Sequence, residues 1–238
     1  AELPQWRKDA ESLAGSLADT APLAGWSDAI NIHRVDAVSA ESGASFDCVG
    51  ECRYRDVAFG SVYPLEVVNG IIGTDYTRST VIQRWQWEVA KAAATVPWDL
   101  AIVVVNSPRS GGMAVHVATV SKDDGWQDTA IHEFGHLLGL LGDEYVQDDC
   151  IRTPSLGLPG NVSEFADDPP WDEWIGLEPG VDAWEGAYNC ADLYRPVDTC
   201  KMRSSSAPFC PVCTEMLVRR LFRFIDPVDA MHVTLGED

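Results

Sequence analysis

The sequence predicts a mixed α/β domain, because two kinds of apolar pattern alternate along it. Segments with apolar residues at helical spacing alternate with short apolar runs that are typical of strands. In chain order they read helix, strand, helix, strand, strand, helix, which indicates the α/β (α+β) class. Apolar residues make up 46% of the 238 residues, enough for a sizeable core, and the length fits one large domain or two small ones.

The elements of the first half follow from their composition and apolar spacing. Residues 3–19 carry apolar side chains near helical period and predict a helix. Residues 29–40 are rich in Ile and Val and predict a strand. The loop that follows contains Cys48 and Cys52, a pair that can pin it. Residues 78–96 form the longest helical pattern of the chain.

Two further strands and a helix are predicted in the middle of the chain. The continuous apolar run over residues 99–107 is typical of a central buried strand. Residues 113–121 form a second strand, and we expect its His116 to lie at a rim or in the core rather than to bind a metal. The turn "DDGWQD" then leads into a helix that carries "TAIHEFGHLLGLLGDEY", residues 129–145.

The second half has a different character. Residues 146–199 hold no period and contain scattered Pro and Gly, so we expect irregular structure there. Long loops are usually functional or disordered, and the isolated aromatic residues argue against disorder because they need burial. Residues 211–225 return to helical spacing and predict a closing helix.

Seven cysteines are many for a cytosolic chain of this size and favour an oxidising compartment. The odd number leaves at least one thiol without an intramolecular partner. We favour disulfides and expect at least one in the C-terminal half, tying residues 146–199 to the segment around Met202. The candidate cysteines are Cys150, Cys190 and Cys200. The alternative is a structural zinc site built on "CPVC", residues 210–213.

The net charge of the chain indicates which classes of binding partner are unfavourable. With 17 Lys and Arg against 37 Asp and Glu, the formal net charge is −20. This argues against nucleic acid and anionic membranes as partners. No apolar run is long enough to span a bilayer, and the first residues are too charged for a signal peptide. We expect a secreted, periplasmic or cell-surface monomer, with its signal peptide absent from this chain.

The stretch at residues 129–145 carries the chemistry. On a helix, His132 and His136 leave the same face, which is the spacing that grips one zinc ion. Glu133 can reach a water bound to that ion and act as general base. The neighbouring Phe and Leu residues bury the helix, where unpaired polar side chains are costly. The alternative is a structural role, in which core hydrogen bonds satisfy both histidines. We favour the zinc site.

The pattern therefore predicts a hydrolase with one catalytic zinc ion. Two histidines and a third ligand leave one position open for water. Glu133 would take the proton of this water and pass it to the leaving group. The strand over residues 113–121 would lie at the rim of the cleft with an unpaired edge, to which an extended substrate can add. The alternative function is a zinc-containing protein-binding domain without turnover.

These segments together resemble a known family. "HEFGHLLGLLGDEY" is similar to the motif of the IgA-peptidase-type zinc metallopeptidases, the igalysins, within the metzincin clan. "NIHRVDAVSAESG" and "AIVVVNSPRSGG" resemble strands of that family, and "EGAYNCADLYRPVDTCKMR" with "FCPVC" resembles its C-terminal signature. The resemblance implies a peptidase whose substrate is a protein or peptide.

The resemblance also implies an architecture. It is a single metzincin-like catalytic domain, with a twisted mixed sheet, a backing helix and the active-site helix above the cleft. Residues 1–142 would form this upper part, and residues 143–238 an irregular lower part with the C-terminal helix. Met202 in "CKMR" would form the methionine-bearing turn under the metal, as packing rather than as a ligand.

The resemblance implies Asp143 as the third zinc ligand. The usual clan position, six residues after His136, is Gly142, which has no side chain. The igalysin-like pattern has an acid one residue later, and Glu144 is the alternative ligand. Gly139 and Gly142 are expected to adopt left-handed backbone angles that turn the next residue toward the metal.

An oxyanion stabiliser is also needed, and a tyrosine can supply it. Tyr194 and Tyr188 are the candidates, because both lie on the loop that leads to Met202. The alternative for each is a tyrosine that anchors this loop.

Overall fold

A computed structural model describes residues 2–46, 54–64, 67–68, 71–72, 81–146, 150 and 157–226. The α-helices in this part of the chain are α1 (Leu3–Asp19), α2 (Gln86–Ala93), α3 (Trp126–Gly139) and α4 (Pro211–Leu221). The strands are β1 (Ser45–Phe46), β2 (Ser61–Tyr63), β3 (Val67–Val68), β4 (Ile71–Ile72), β5 (Ile82–Gln83), β6 (Ile102–Val105), β7 (Gly112–Ala114), β8 (Ala118–Ser121), β9 (Trp184–Ala187) and β10 (Cys190–Arg195). Short 3-10 helices span Leu23–Ala29 and Asp172–Trp174.

The described strands form small sheets, so the fold is mixed α and β, as predicted. β8 lies between β6, to which it is parallel, and β7, to which it is antiparallel. A second sheet has the order β1-β2-β5, and the pairs β3–β4 and β9–β10 are antiparallel. The continuous apolar run of β6 predicted a central strand, but the central position in its sheet belongs to β8, whose four residues are all buried.

The main core cluster lies where helices from both ends of the chain meet. Leu13 and Leu17 of α1, Ala130 and Leu138 of α3, and Leu217 of α4 are all buried in it. Met202 also belongs to this cluster and is fully buried. Apolar burial on this scale is the main source of stability, and it fixes α3 between α1 and α4.

Several predicted elements are confirmed and others need correction. The predicted helix over residues 3–19 is α1, and the closing helix is α4, which ends earlier, at Leu221. In the helical pattern of residues 78–96, the helix begins only at Gln86, because β5 occupies Ile82–Gln83. Residues 78–80 of that pattern lie outside the described residues.

The strand predicted over residues 29–40 was wrong. No strand is present in this segment, all of which the structure describes. Asp36 instead accepts hydrogen bonds from Trp6 Nε1 at 3.0 Å and from Arg7 Nη2 at 3.0 Å, so the segment is tied to α1. A high content of Ile and Val forms a strand only where a partner strand is available.

The strand predicted over residues 113–121 is a hairpin. It divides into β7 and β8 around a bend at residues 115–117, and His116 in this bend is exposed. In the predicted irregular region, the hairpin β9–β10 was missed because its short strands carry Gly, Glu and Asp. Among the described residues, no helix is both long and apolar enough to cross a membrane.

A disulfide in the C-terminal half is confirmed between Cys150 and Cys190. It does not reach the segment around Met202, because both of its cysteines precede that segment and Cys200 is a free, buried thiol. The link therefore closes a loop within residues 146–199 and reduces the freedom of the unfolded chain there. The predicted pinning by Cys48 and Cys52 lies outside the described residues.

Candidate metal centre

Helix α3 presents His132 and His136 on one face. Residues four apart on a helix lie one above the other, and here the two Nε2 atoms are 3.1 Å apart. Both side chains are largely buried, with exposed fractions of 10% and 19%. Burying a polar ring without partners is costly, so each ring nitrogen of both imidazoles needs a hydrogen-bond partner or a metal ion.

The chain reverses direction directly after α3. Leu140 caps the helix in the left-handed conformation, with φ 53°. Gly139 and Gly142 do not have positive φ, so our prediction of left-handed angles at these two glycines was wrong. These two glycines allow close packing instead, because an added Cβ would lie 2.8 Å from Cγ of Leu141 and 2.7 Å from Cγ of Pro159, respectively.

This reversal brings Asp143 against the two histidines. Its Oδ1 atom lies 3.1 Å from Nε2 of His132 and 3.2 Å from Nε2 of His136. The other ring nitrogens face backbone carbonyls, at 2.8 Å from Lys201 O and 2.6 Å from Leu141 O. A carbonyl only accepts hydrogen bonds, so each Nδ1 donates and each neutral ring presents the Nε2 lone pair.

The triangle of His132, His136 and Asp143 fits a divalent metal ion. Three lone-pair atoms about 3 Å apart repel one another unless a cation or a proton lies among them. A tetrahedral zinc ion with bonds of about 2.0–2.2 Å holds nitrogen and oxygen ligands about 3.3 Å apart. The observed spacings are 3.1, 3.1 and 3.2 Å. These residues can therefore hold one metal ion.

The charges of the metal-free triangle stabilise a proton within it. Burial lowers the pKa of His136, but the hydrogen bond and charge of Asp143 and the charge of Glu133 outweigh burial and raise it to about 9. Burial raises the pKa of Asp143, yet the hydrogen bonds and charges of both histidines hold it well below its usual range. Metal uptake must therefore displace a proton at neutral pH.

Glu133 lies on α3 beside the triangle and faces the edge of the sheet. It is buried, and a Cβ atom added to Gly112 of β7 would collide with its Oε1. Burial, the largest contribution, and the charge of Asp143 raise the pKa of Glu133 against the opposing effect of the two histidines. The carboxylate is thus enclosed between the helix that carries the histidines and the edge strand.

Glu144, the alternative ligand, points away from the histidines and toward Asn161 and Cys213. Its Oε1 accepts hydrogen bonds from Nδ2 of Asn161 at 2.9 Å and from Sγ of Cys213 at 3.3 Å. Burial raises the pKa of Glu144 to about 8. The two neighbouring acids are therefore divided: Asp143 joins the histidines, and Glu144 joins a group of buried cysteines.

Met202 packs against the segment of α3 that carries the two histidines. A Cβ atom added to Gly135, which lies between them in sequence, would come within 2.9 Å of Sδ of Met202. The Met202 turn is anchored by Lys201, whose Nζ is 2.9 Å from Oδ1 of Asp128 on the first turn of α3. The contacts are those of a buried packing residue.

The sequence reasoning missed two residues that hold the centre in place. Lys201 supplies the carbonyl that orients His132. The motif "CKMR", which contains Lys201, was the sequence feature that could have indicated this role. Asn161 is fully buried and bonds both backbone groups of Gly142, at 2.7 Å to its N–H and 2.9 Å to its carbonyl. No pattern in the irregular region around Asn161 marked it in advance.

The two candidate tyrosines differ in environment. Tyr194 lies in β10, is partly buried and packs against the main core cluster. Tyr188 has left-handed φ, 51°, is 37% exposed, and donates its backbone N–H to the carbonyl of Asp143 at 2.8 Å. The backbone of Tyr188 is thus attached to a residue of the triangle.

Comparison with known proteins identifies the family. The family model described as IgA peptidase M64 matches residues 1–155 of the 238, well over half of the chain. The matched stretch includes α3 and Asp143. No curated protein matches the chain. The resemblance to the igalysins is therefore confirmed, and the chain belongs to the IgA peptidase M64 family.

Proposed function

We propose that the protein is a zinc-dependent endopeptidase that hydrolyses peptide bonds of a protein or peptide substrate. The observation that carries the proposal is the triangle of His132, His136 and Asp143, with atoms within 3.2 Å of one another and the Glu133 carboxylate beside it. Membership of a peptidase family supports the same reaction class. Three protein ligands and one open position are typical of catalytic rather than structural zinc sites.

Glu133 is the proposed general base. Zinc, when bound, lowers the pKa of a coordinated water and polarises a carbonyl group. Glu133 takes the proton of the attacking water and then delivers it to the leaving amine. The Nδ1 hydrogen bonds to Lys201 and Leu141 keep His132 and His136 in the tautomer that ligates.

The substrate is proposed to bind in extended form along β7. In the described part of the chain β7 pairs only with β8, so its other edge carries main-chain groups that a peptide can meet. Gly112 of β7 is also the residue that contacts Glu133, which aligns this edge with the proposed base. A peptide-bound structure whose substrate follows another path would refute this placement.

The architecture proposed for this mechanism is metzincin-like. Residues 1–142 form the upper part of the catalytic domain, and residues 143–238 form the lower part below the cleft. The packing of Met202 against α3 and the reversal of the chain at Leu140, shortly before Asp143, support this division. An experimental structure that places the sheet of β6, β7 and β8 in a different domain from α3 would contradict this division.

The Cys150–Cys190 disulfide supports a secreted, periplasmic or cell-surface location. The proposal is tested by cell fractionation. Protein confined to the cytosol with these two cysteines reduced would contradict it.

The decisive experiment compares Glu133→Ala with the unchanged protein. Both should contain zinc, but the variant should lose nearly all cleavage of casein or gelatin, because no other described carboxylate occupies its place. Glu178→Ala, at an exposed position, is the matched control and should keep full activity. A chelator should abolish cleavage by the unchanged protein and added zinc should restore it.

Two outcomes would count against the peptidase. Zinc in the unchanged protein without any cleavage would favour the alternative, a zinc-containing protein-binding domain without turnover. Substantial cleavage by Glu133→Ala would mean that another group is the base.

A further inference from the structure

Three buried cysteines lie together without forming a disulfide. Cys200, Cys210 and Cys213 are free thiols, and all three are buried. Glu144, which is fully buried, completes the group, and one donor atom of each residue lies within 4.8 Å of all the others. We call these four residues the cysteine cluster. A buried carboxylate such as that of Glu144 is costly unless it has a partner such as a cation.

In the cysteine cluster, backbone N–H groups donate to the sulfur atoms of Cys200 and Cys210, while the thiol of Cys213 donates to Glu144. The backbone N–H of Cys210 points to Sγ of Cys200 at 3.2 Å, and that of Cys213 points to Sγ of Cys210 at 3.4 Å. Cys210 is also the N-cap of α4, where the helix dipole stabilises negative charge. Three neighbouring thiolates would repel one another strongly, so a cation is needed to hold them together.

Glu144 has an unused atom in this interior. Its Oε1 is bonded to Asn161 and to Cys213, but Oε2 is buried and has no hydrogen-bond partner among the described residues. A buried acceptor left unpaired costs about 1–3 kcal/mol. A metal ion at the centre of the cluster would remove this cost.

We propose that the cysteine cluster is a structural zinc site with three thiolates and one carboxylate. "CPVC" supplies the two-residue spacing that is typical of zinc ligands, and a closed tetrahedral set without an open position is typical of structural sites. Tetrahedral zinc with bonds of about 2.3 Å to sulfur holds its ligands about 3.8 Å apart, within the spread of the cluster. A disulfide between any two of these cysteines would leave the third thiol over and would give Oε2 of Glu144 no partner.

The proposed ion would link the segments that position the residues of the metal centre. Glu144 follows Asp143 directly, and its backbone N–H donates to the carbonyl of Met202 at 2.8 Å. Cys200 precedes Lys201, whose carbonyl orients His132. One ion would therefore join the segment after α3, the Met202 turn and the start of α4. The proposal itself does not depend on the peptidase activity.

Metal content measured on the unchanged protein and three double variants tests the proposal. The unchanged protein should contain about two zinc ions per chain, and both His132→Ala/His136→Ala and Cys210→Ser/Cys213→Ser should contain about one. Cys150→Ser/Cys190→Ser, which removes the disulfide instead, is the matched control and should keep about two. Cobalt in the histidine double variant should show thiolate-to-metal charge-transfer absorption.

The result separates this site from the catalytic one. A single zinc ion that the histidine variant loses would overturn the cysteine-cluster proposal and leave the peptidase proposal intact. A single ion that the cysteine variant loses would support the cluster and remove the basis for the peptidase proposal.

A second test needs no variant, so it remains decisive if the cysteine variant fails to fold. In unreduced protein, peptide mapping after alkylation should show Cys200, Cys210 and Cys213 protected until zinc is chelated. All three should be alkylated after chelation and denaturation. A disulfide between two of them, or alkylation of all three in the native zinc-loaded protein, would overturn the proposal.

Discussion

Gly112 of the edge strand β7 lies so close to Glu133 that no side chain fits between them. A Cβ atom built on Gly112 would collide with Oε1 of Glu133 and would lie 2.8 Å from Cγ2 of Thr129. Both neighbours belong to α3, so the contact sets the distance between the edge strand and the helix of the metal centre. The proposed base and the proposed substrate edge are thus in direct contact.

Gly112→Ala should therefore lower kcat/KM about tenfold or more, because a small displacement of the base costs much of the rate. Zinc content should stay unchanged, since the triangle is not touched. Gly15→Ala is the matched control: Gly15 lies in α1 with open space around its Cβ position, and the change should stabilise by up to about 1 kcal/mol. Full peptidase activity of Gly112→Ala would show that the contact does not position Glu133.

Asp143→Ala should weaken zinc retention at the histidine site by about tenfold or more, because it removes one of three proposed ligands. Glu144→Gln should leave activity-linked zinc much less affected, since Glu144 faces the cysteine cluster. The measurement is residual activity and zinc content after dialysis against graded chelator. If Glu144→Gln loses activity-linked zinc and Asp143→Ala keeps it, the ligand is Glu144.

The pH dependence of zinc binding follows from the proton that the metal-free triangle holds. Burial lowers the pKa of His136, but Asp143 and Glu133 together raise it to about 9. Below this pH zinc must expel the proton, so affinity should rise about tenfold per unit between about pH 7 and 8.5. The readout is the free zinc concentration that restores half of the activity to chelated enzyme. An affinity that does not change over this range would refute the coupling.

The same shift predicts the stability of the chelated protein. The pKa of His136 is higher in the folded state than the ordinary 6.5. The stabilisation is therefore fully present below about pH 6.5 and is lost as the pH rises through about 9. Melting temperatures of His136→Ala, chelated in the same way, should lack this component of the pH dependence.

The sequence predicted the parts of the centre that are local. The spacing of His132 and His136 needs only helical geometry, and the helix itself was visible in its apolar pattern. The direction of Asp143 was predicted for the wrong reason, since the turn uses left-handed Leu140 rather than a glycine. Leucine carries no sequence signal for this conformation, because positive φ is uncommon for residues other than glycine.

The contacts between distant segments could not be predicted. Lys201, which contacts His132, lies 69 residues after it in the sequence. Asn161, which contacts Gly142, lies 19 residues after it. Their roles depend on how the irregular region folds back, and no period there constrains that path. The strand expected over residues 29–40 failed for the same reason, since pairing is a property of the partner strand.

The choice between the two tyrosines can be tested by removing single hydroxyl groups. Tyr188→Phe should lower kcat more than Tyr194→Phe, because the backbone of Tyr188 is bonded to Asp143 while Tyr194 packs against the core. Loss of one oxyanion donor typically costs about a hundredfold in kcat. A larger kcat loss in Tyr194→Phe, with the melting temperature unchanged, would identify Tyr194 as the stabiliser instead.

Met202 provides a test of packing against ligation. It is fully buried, and Sδ lies against Gly135 on the underside of α3. Met202→Ala should lower the free energy of unfolding by about 2–5 kcal/mol through the cavity that it creates. Met202→Leu conserves volume and should cost less than about 1.5 kcal/mol. Denaturant unfolding and zinc content check both variants. Because the thioether is packing, Met202→Leu should keep its zinc, and loss of zinc with an intact fold would assign the sulfur a direct role at the metal.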